Sequence, residues 1–189
     1  MKVVSFYTKD TPYEEEVQNL IESCKKYEVD YYVEPVKNLG KCEWNCGQKP
    51  RVLYNALKKF PNENLFYVDA DAVFKRKPNW SHFKDMEYPA FAWFKWQSDK
   101  GEVTELLSGS IYIPNNEYSE KLLVVWTLRQ NQNRDEWDQR VLQQIVETHE
   151  VQNYPLPLEW CKVKEYMKSI DEPYIEHYQA SRRYKDNIS

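Results

Sequence analysis

Glycine occurs only four times in this chain of 189 residues, and cysteine is as scarce. The four cysteines, Cys24, Cys42, Cys46 and Cys161, are too few and too scattered for a disulfide-stapled secreted domain, so reduced thiols are expected. Cys42 and Cys46 flank Glu43-Trp44-Asn45 and offer half a zinc site, but no second Cys/His pair with ligand spacing follows. Long hydrophobic runs are missing too. The apolar stretch ahead of Lys9 is short, and the longest elsewhere, Leu122 to Trp126, falls far below the about 20 residues of a membrane span. Nor is positive charge in excess: a net charge of -4 argues against broad nonspecific nucleic-acid binding, which needs many Lys and Arg on phosphates, and leaves room only for a local basic patch. There is no internal repeat, low-complexity tract or linker. The expectation is a single domain over residues 1–189, soluble and cytoplasmic, long enough to bury a core without staples.

What is present is an α/β order. Val3 to Thr8 reads as an opening strand. A helix follows, with Thr11 as N-cap, Pro12 in the first turn and Glu14 where a capping box wants its acid. Val17, Leu20, Ile21, Cys24 and Tyr27 give it one apolar stripe, and Val29 to Val36 reads as a second strand, completing a βαβ unit. After a polar stretch from Lys37 to Gln48, Pro50 opens a second helix whose buried face is Leu53, Ala56, Leu57 and Phe60. Further on, Tyr88 to Trp96 and Ser108 to Pro114 are predicted strands, Gln97 to Glu105 a polar turn between them, and Leu122 to Leu128 part of a helix. Another helix is predicted from about Asp135, and the tail from Tyr154 onward reads as mostly irregular.

The most informative segment is Leu65-Phe66-Tyr67-Val68-Asp69-Ala70-Asp71, an apolar strand ending in two carboxylates set two positions apart. At the C-terminal end of a strand both acids can turn into the crevice where open α/β folds bind ligands. Paired hard oxygens suit Mn²⁺ or Mg²⁺ held jointly with substrate phosphates. An Asp-rich turn would use the same residues. Ser108-Gly109-Ser110 sets one of the few glycines where a ligand can approach the backbone, although a bulge would serve equally. Asp135 and Asp138 open a helix and complement its dipole. Asp138 should lie beside the buried face, and its neighbour Gln139 suits sugar hydroxyls. His177 can complete a metal shell, with Arg182, Arg183 and Lys185 downstream as partners for a diphosphate, or it can be incidental in a solvated basic tail. Trp93, Trp96, Tyr112, Trp126 and Trp160 are read mostly as core, with sugar stacking as the alternative.

The order of these motifs resembles the nucleotide-diphospho-sugar glycosyltransferases of the A-type fold. The pattern is that of the retaining glycogenin-like and lipopolysaccharide galactosyltransferase-like enzymes, in a short version like those of phages and large viruses. The resemblance spans nearly the whole chain. It implies a Rossmann-like mixed sheet flanked by helices, a UDP-sugar donor and a Mn²⁺ or Mg²⁺ cofactor. It further implies that Tyr7 and Thr8 contact the base, that Asp69 hydrogen-bonds ribose or donor sugar and assists the metal, and that Asp71 and His177 ligate the metal. Lys49 would meet the donor diphosphate or sugar, Arg182, Arg183 or Lys185 would clamp the diphosphate, Ser108, Gly109 and Ser110 would line the donor sugar, and Asp138 with Gln139 would flank the reacting carbon. The acceptor is left open among a glycan, a protein, a small molecule and a modified nucleobase. Two other readings compete. A haloacid-dehalogenase-like phosphohydrolase would use Asp69 as nucleophile and Asp71 as acid/base, and a non-catalytic module would bind nucleotide sugar without turnover.

Overall fold

The structure is a computed structural model that describes residues 1–148 and 151–184. The chain opens with strand β1 (Lys2–Thr8), helix α1 (Tyr13–Lys26) and strand β2 (Tyr31–Val36). A short helix α2 (Cys42–Cys46) runs into α3 (Lys49–Lys59), followed by β3 (Leu65–Val68) and β4 (Ala72–Phe74). Next come β5 (Ala90–Ser98), β6 (Gly101–Ile113), α4 (Glu117–Gln132) and α5 (Asp138–Thr148). Three short strands, β7 (Tyr154–Pro155), β8 (Lys162–Val163) and β9 (Ile175–His177), precede the single turn α6 (Ala180–Arg183).

Six strands form the main sheet in the order β2-β1-β3-β6-β5-β7. β1 pairs parallel with both β2 and β3, whereas β6 runs antiparallel to β3 and to β5, so the sheet is mixed. The four residues of β3 are all buried because each face of the sheet is covered. Successive side chains alternate across it: Leu65 and Tyr67 enter the core shared with α3, α4 and α5, and Phe66 and Val68 enter the core shared with α1 and the C-terminal segment. That second core is floored by stacked aromatics, with Trp160 and Tyr174 ring centroids 4.2 Å apart. β4, β9 and β8 make a small second sheet in which β9 lies between the other two. Its importance is positional, since Ala72 pairs with His177 and so brings the C-terminal segment to the end of β3.

Several expectations change. Gln97 to Glu105 is not a turn: β5 and β6 continue as a ribbon to Ser98 and Gly101, and only Asp99-Lys100 turns. The segment is polar because this ribbon is exposed, not because it is irregular. The tail from Tyr154 carries three strands too short to announce themselves by alternation. Asp135 does not cap α5; it is exposed and binds Lys41 Nζ at 3.0 Å and Trp44 Nε1 at 2.9 Å. Nor does a regular capping box start α1. The Thr11 hydroxyl donates to the Thr8 carbonyl, and Glu14 accepts from the backbone N–H of Asp10 rather than of Thr11. Trp126, Trp160 and Tyr112 are core residues, as read from sequence, while Trp96 is 41% exposed.

Candidate active site

β3 delivers Asp69 to its site by continuing the ladder one residue further, the Asp69 N–H donating to the Gly109 carbonyl at 2.8 Å. The turn after Asp69, closed by the Ala72 N–H on the Asp69 carbonyl, swings Asp71 to the same side. β9 then brings in His177. One ligand atom from each of Asp69, Asp71 and His177 lies within 4.8 Å of the others, in a group assembled from the β3–β4 turn and β9.

Each of the three is held by a specific partner. Asp69 Oδ1 accepts from the Tyr67 hydroxyl at 2.6 Å and from Lys49 Nζ at 3.1 Å. Asp71 Oδ2 accepts from the Ala180 N–H at 2.7 Å, and the Tyr178 N–H donates to the Asp71 carbonyl. The buried Ser110 hydroxyl bonds His177 Nε2 at 2.9 Å, which directs the other ring nitrogen, Nδ1, toward Asp69. Gly109 sits under that pair. A Cβ at this position would lie 2.9 Å from His177 Cε1, 3.1 Å from Nδ1 and 3.2 Å from Asp69 Oδ2, so the glycine is required for room. Two carboxylates and an imidazole whose second nitrogen is already bonded form a donor set suited to Mn²⁺ or Mg²⁺.

Burial and the adjacent Asp69 carboxylate push the Asp71 carboxyl up to about 6. Burial opposes charging the His177 ring, but the nearby Cys161 sulfur and Asp69 outweigh it and hold its pKa above the ordinary value. A cation here would relieve the repulsion between the two carboxylates.

Behind this trio lies a dry ionic cluster. Lys49 is 3% exposed, and its Nζ reaches Asp138 Oδ2 at 2.7 Å, the Ser108 hydroxyl at 3.0 Å and the Ser108 carbonyl at 3.1 Å, besides Asp69. Asp138, 4% exposed, also accepts from the Ser108 hydroxyl at 3.0 Å. Burial works against the Lys49 charge, yet the Asp138 and Asp69 carboxylates raise its pKa above the ordinary lysine value. It is a fixed cation between two acids.

A cavity of about 1010 Å³ opens in front of these groups. Tyr7 and Thr8 at the C-terminal end of β1 line it, as do Lys49, Asp69, Gly109, Asp71, Gln139, His177 and Arg182. Among the predicted site residues, Ser108, Ser110 and Asp138 are absent from the lining. Ser108 and Asp138 face Lys49, and Ser110 faces His177, so all three stand behind the wall. Lys185 lies outside the described residues. The neighbouring Arg183 turns to Glu16 at 3.0 Å and, with the Tyr184 hydroxyl on the same carboxylate, ties α6 to α1.

Sequence reasoning missed Tyr67, Glu105 and Gln179. Tyr67 was visible only as an apolar strand residue, and its hydroxyl emerges beside Asp69 because the strand ends there. Glu105, held by Gln139 Nε2 at 2.6 Å, was hidden inside the segment taken for a turn. Gln179 adopts a left-handed backbone, φ 48°, to turn the chain from β9 into α6 beside Asp71.

No family model matches this chain, and no curated protein matches it by sequence. Its structure does match solved ones. A glycosyltransferase involved in the glycosylation of the major capsid of PBCV-1 aligns with a TM-score of 0.71 at 16% identity, over 97% of this chain and 95% of that one. The glycosyltransferase GlyE of Streptococcus pneumoniae TIGR4 aligns with a TM-score of 0.60 at 14% identity, over 94% of this chain and 54% of that one. The bifunctional glycosyltransferase WbbM gives 0.55 at 12%, over 95% and 45%. This chain thus spans nearly all of the first and about half of the other two. It has the A-type glycosyltransferase fold. The phosphohydrolase reading finds no support, since the two-aspartate motif follows the third strand and Asp138 pairs with Lys49 rather than facing Asp71. Among the described residues no helix is long and apolar enough to cross a membrane.

Proposed function

We propose that residues 1–189 form one metal-dependent glycosyltransferase domain that moves a sugar from a nucleotide-diphosphate donor, UDP-linked, to an acceptor hydroxyl. The observation that carries this reading is the Asp69, Asp71 and His177 trio at the end of the central strand, facing a cavity that reaches to the end of β1.

In this reading the base rests against Tyr7 and Thr8, and the diphosphate lies over the trio with Arg182 beside it. Asp69, Asp71 and His177 would hold Mn²⁺ or Mg²⁺, which would supply positive charge against the departing diphosphate. The remaining work belongs to the protein's own groups. Lys49 fixes Asp69 through its Nζ and keeps Asp138 in line behind the wall, so the carboxylate that faces the cavity needs no reorganisation during transfer. Gln139 lies at the cavity surface, its Oε1 accepting from the Ser108 N–H and its Nε2 donating to Glu105, and offers an oriented amide beside the reacting carbon. Gly109 lets the donor sugar approach the backbone. The bond from sugar carbon to phosphate oxygen breaks, the bond to the acceptor oxygen forms, and the acceptor proton leaves with a phosphate or carboxylate oxygen.

A thermal-shift panel of UDP-, GDP-, ADP- and TDP-sugars, each with and without Mn²⁺, tests the assignment. A donor at about 100 times its dissociation constant adds roughly 2.7 kcal/mol, a rise on the order of 5 to 10 °C for a domain of this size. A shift that requires both Mn²⁺ and a uridine nucleotide is expected; no shift with any nucleotide removes the donor site. Slow hydrolysis of the donor without acceptor separates an enzyme from a binding module.

A further inference from the structure

The cavity has an outer end that the donor reading does not use. At about 1010 Å³ it sits at the top of the roughly 300 to 1,000 Å³ range of small-molecule sites, with room beyond one ligand. This outer end is walled by the β5–β6 ribbon. β3 pairs with β6 only from Ser110 to Ile113, and β7 pairs with β5 only at Ala90 and Phe91. From Ala92 to Leu107 the two strands therefore leave the sheet and pair only with each other.

The ribbon's two faces differ. Trp93 and Leu106 belong to the core on the α5 side. On the other face Phe94, Trp96 and Glu105 line the cavity, with Phe94 directly opposite Glu105 in the ladder. Trp96 is 41% exposed and belongs to neither core cluster. Beyond its cross-strand partner Val103, much of this large indole is left in water. Tyr166, 49% exposed, lines the same cavity from the C-terminal segment. Glu105 adds a carboxylate whose Oε1 is already oriented by Gln139 Nε2 at 2.6 Å, with the Gln139 amide beside it.

Flat apolar rings interleaved with an oriented carboxylate and an amide match one ligand chemistry well. A pyranose offers a C–H face to stack on an aromatic ring and a rim of hydroxyls to donate to carboxylate and amide oxygens. A nucleic acid would bring phosphates against Glu105 and a protein of net charge -4. We infer that the outer end of the cavity is an acceptor subsite for a glycan, with Trp96 as its stacking platform and Glu105 as its hydroxyl partner. This rests on the glycosyltransferase reading and names the acceptor class that reading leaves open.

Saturation-transfer NMR on the whole protein tests it, using methyl pyranosides of glucose, galactose, xylose and rhamnose as probes and an unstructured Ser/Thr-rich peptide for comparison, each with and without UDP and Mn²⁺. At least one glycoside is expected to receive saturation, strongest on the protons of one ring face. Trp96→Ala should weaken that glycoside about tenfold or more, and Trp96→Phe, which keeps a ring, should retain much of it. The inference is overturned if no glycoside receives saturation, if Trp96→Ala transfers as the wild type does, or if only the peptide is contacted. The Mn²⁺-dependent UDP thermal shift of the wild type is read on the same sample. A shift without glycoside contact overturns the acceptor inference alone, whereas glycoside contact without a shift overturns the donor reading and leaves the carbohydrate platform standing.

Discussion

At the inner end of the cavity Lys49, Asp138 and Ser108 are each less than 5% exposed and satisfy one another, whereas at the outer end Trp96 and Tyr166 keep nearly half their surface in water. The inner groups gain nothing from solvent and need no ligand to be ordered. The outer groups carry apolar area that the described residues leave open to a ligand. The contrast separates preorganisation from recognition: a rigid charged wall behind the proposed diphosphate site, and a ribbon free of the main sheet where the second substrate arrives. It follows that inner substitutions should act on stability and metal binding, and outer ones on a substrate.

The contrast breaks first at Asp71. Because a metal ion at a departing phosphate is worth several kcal/mol, and about 1.4 kcal/mol is a factor of ten, Asp71→Asn is expected to lower metal-dependent turnover about a thousandfold or more. Its fold should survive, since the substitution removes one of two repelling carboxylates. Steady-state rates with saturating Mn²⁺ and the metal-free melting temperature check this, and undiminished turnover would remove the metal assignment.

Next in size is the buried pair. Lys49→Met leaves Asp138 dry and unpaired, which costs about 3 to 5 kcal/mol of folding free energy. Adding Asp138→Leu should recover most of that loss, because replacing both charges removes the desolvation problem. Urea unfolding of the two variants distinguishes a cluster that acts as a unit from two independent residues.

Gly109→Ala should be milder. A Cβ 2.9 Å from His177 Cε1 forces the ring or the strand to move, at about 1 to 3 kcal/mol for overpacking. With the ring displaced, Mn²⁺ binding should weaken roughly ten- to a hundredfold by calorimetry.

The pH dependence follows from Asp71, raised to about 6 by burial and by Asp69. In the metal-free protein this group holds its proton more tightly folded than unfolded, so its contribution to stability is present at acid pH and is lost as pH rises through 6. Metal binding has the opposite slope. Mn²⁺ must displace that proton and the one on His177, whose pKa lies above the ordinary value, so its apparent affinity should fall as pH drops through the His177 range, steepen below about 6 where both protons compete, and level off only above the His177 pKa. Calorimetry in buffers of different ionisation heat would detect the released proton below that point.

The smallest effect is expected at Asp135, which shares the acidic run of Asp138 but is exposed and bound only to Lys41 and Trp44 at the surface. Asp135→Asn should leave the melting temperature and Mn²⁺ affinity unchanged within measurement scatter. A large loss there would mean that the α2–α5 surface supports the site.

Much of this division was readable before the fold was known, wherever the signal is local. The stripe of α1, the wholly apolar β3 and its two terminal aspartates follow from periodicity and from burial on both faces. The outer part of the ribbon, Gln97 to Glu105, was missed because it is exposed or half-buried throughout and has no apolar alternation to display. β8 and β9 were missed because two or three residues cannot show a period. Asp138 was placed correctly beside a buried face from its spacing to Leu142, but nothing in Lys49-Pro50-Arg51 shows that the Lys49 ammonium pairs with both Asp138 and Asp69.

By itself the sequence determined the α/β order, the central strand and the residue types able to hold a divalent cation, because each depends on neighbours within a turn or a strand. Only the tertiary structure decided that His177 meets Asp69 and Asp71, that Lys49 lies between two acids, and that Trp96 faces the cavity. Those meetings depend on strand register between distant segments. A one-residue slip of β9 against β4 would turn His177 to the other face of its sheet, with every local propensity unchanged.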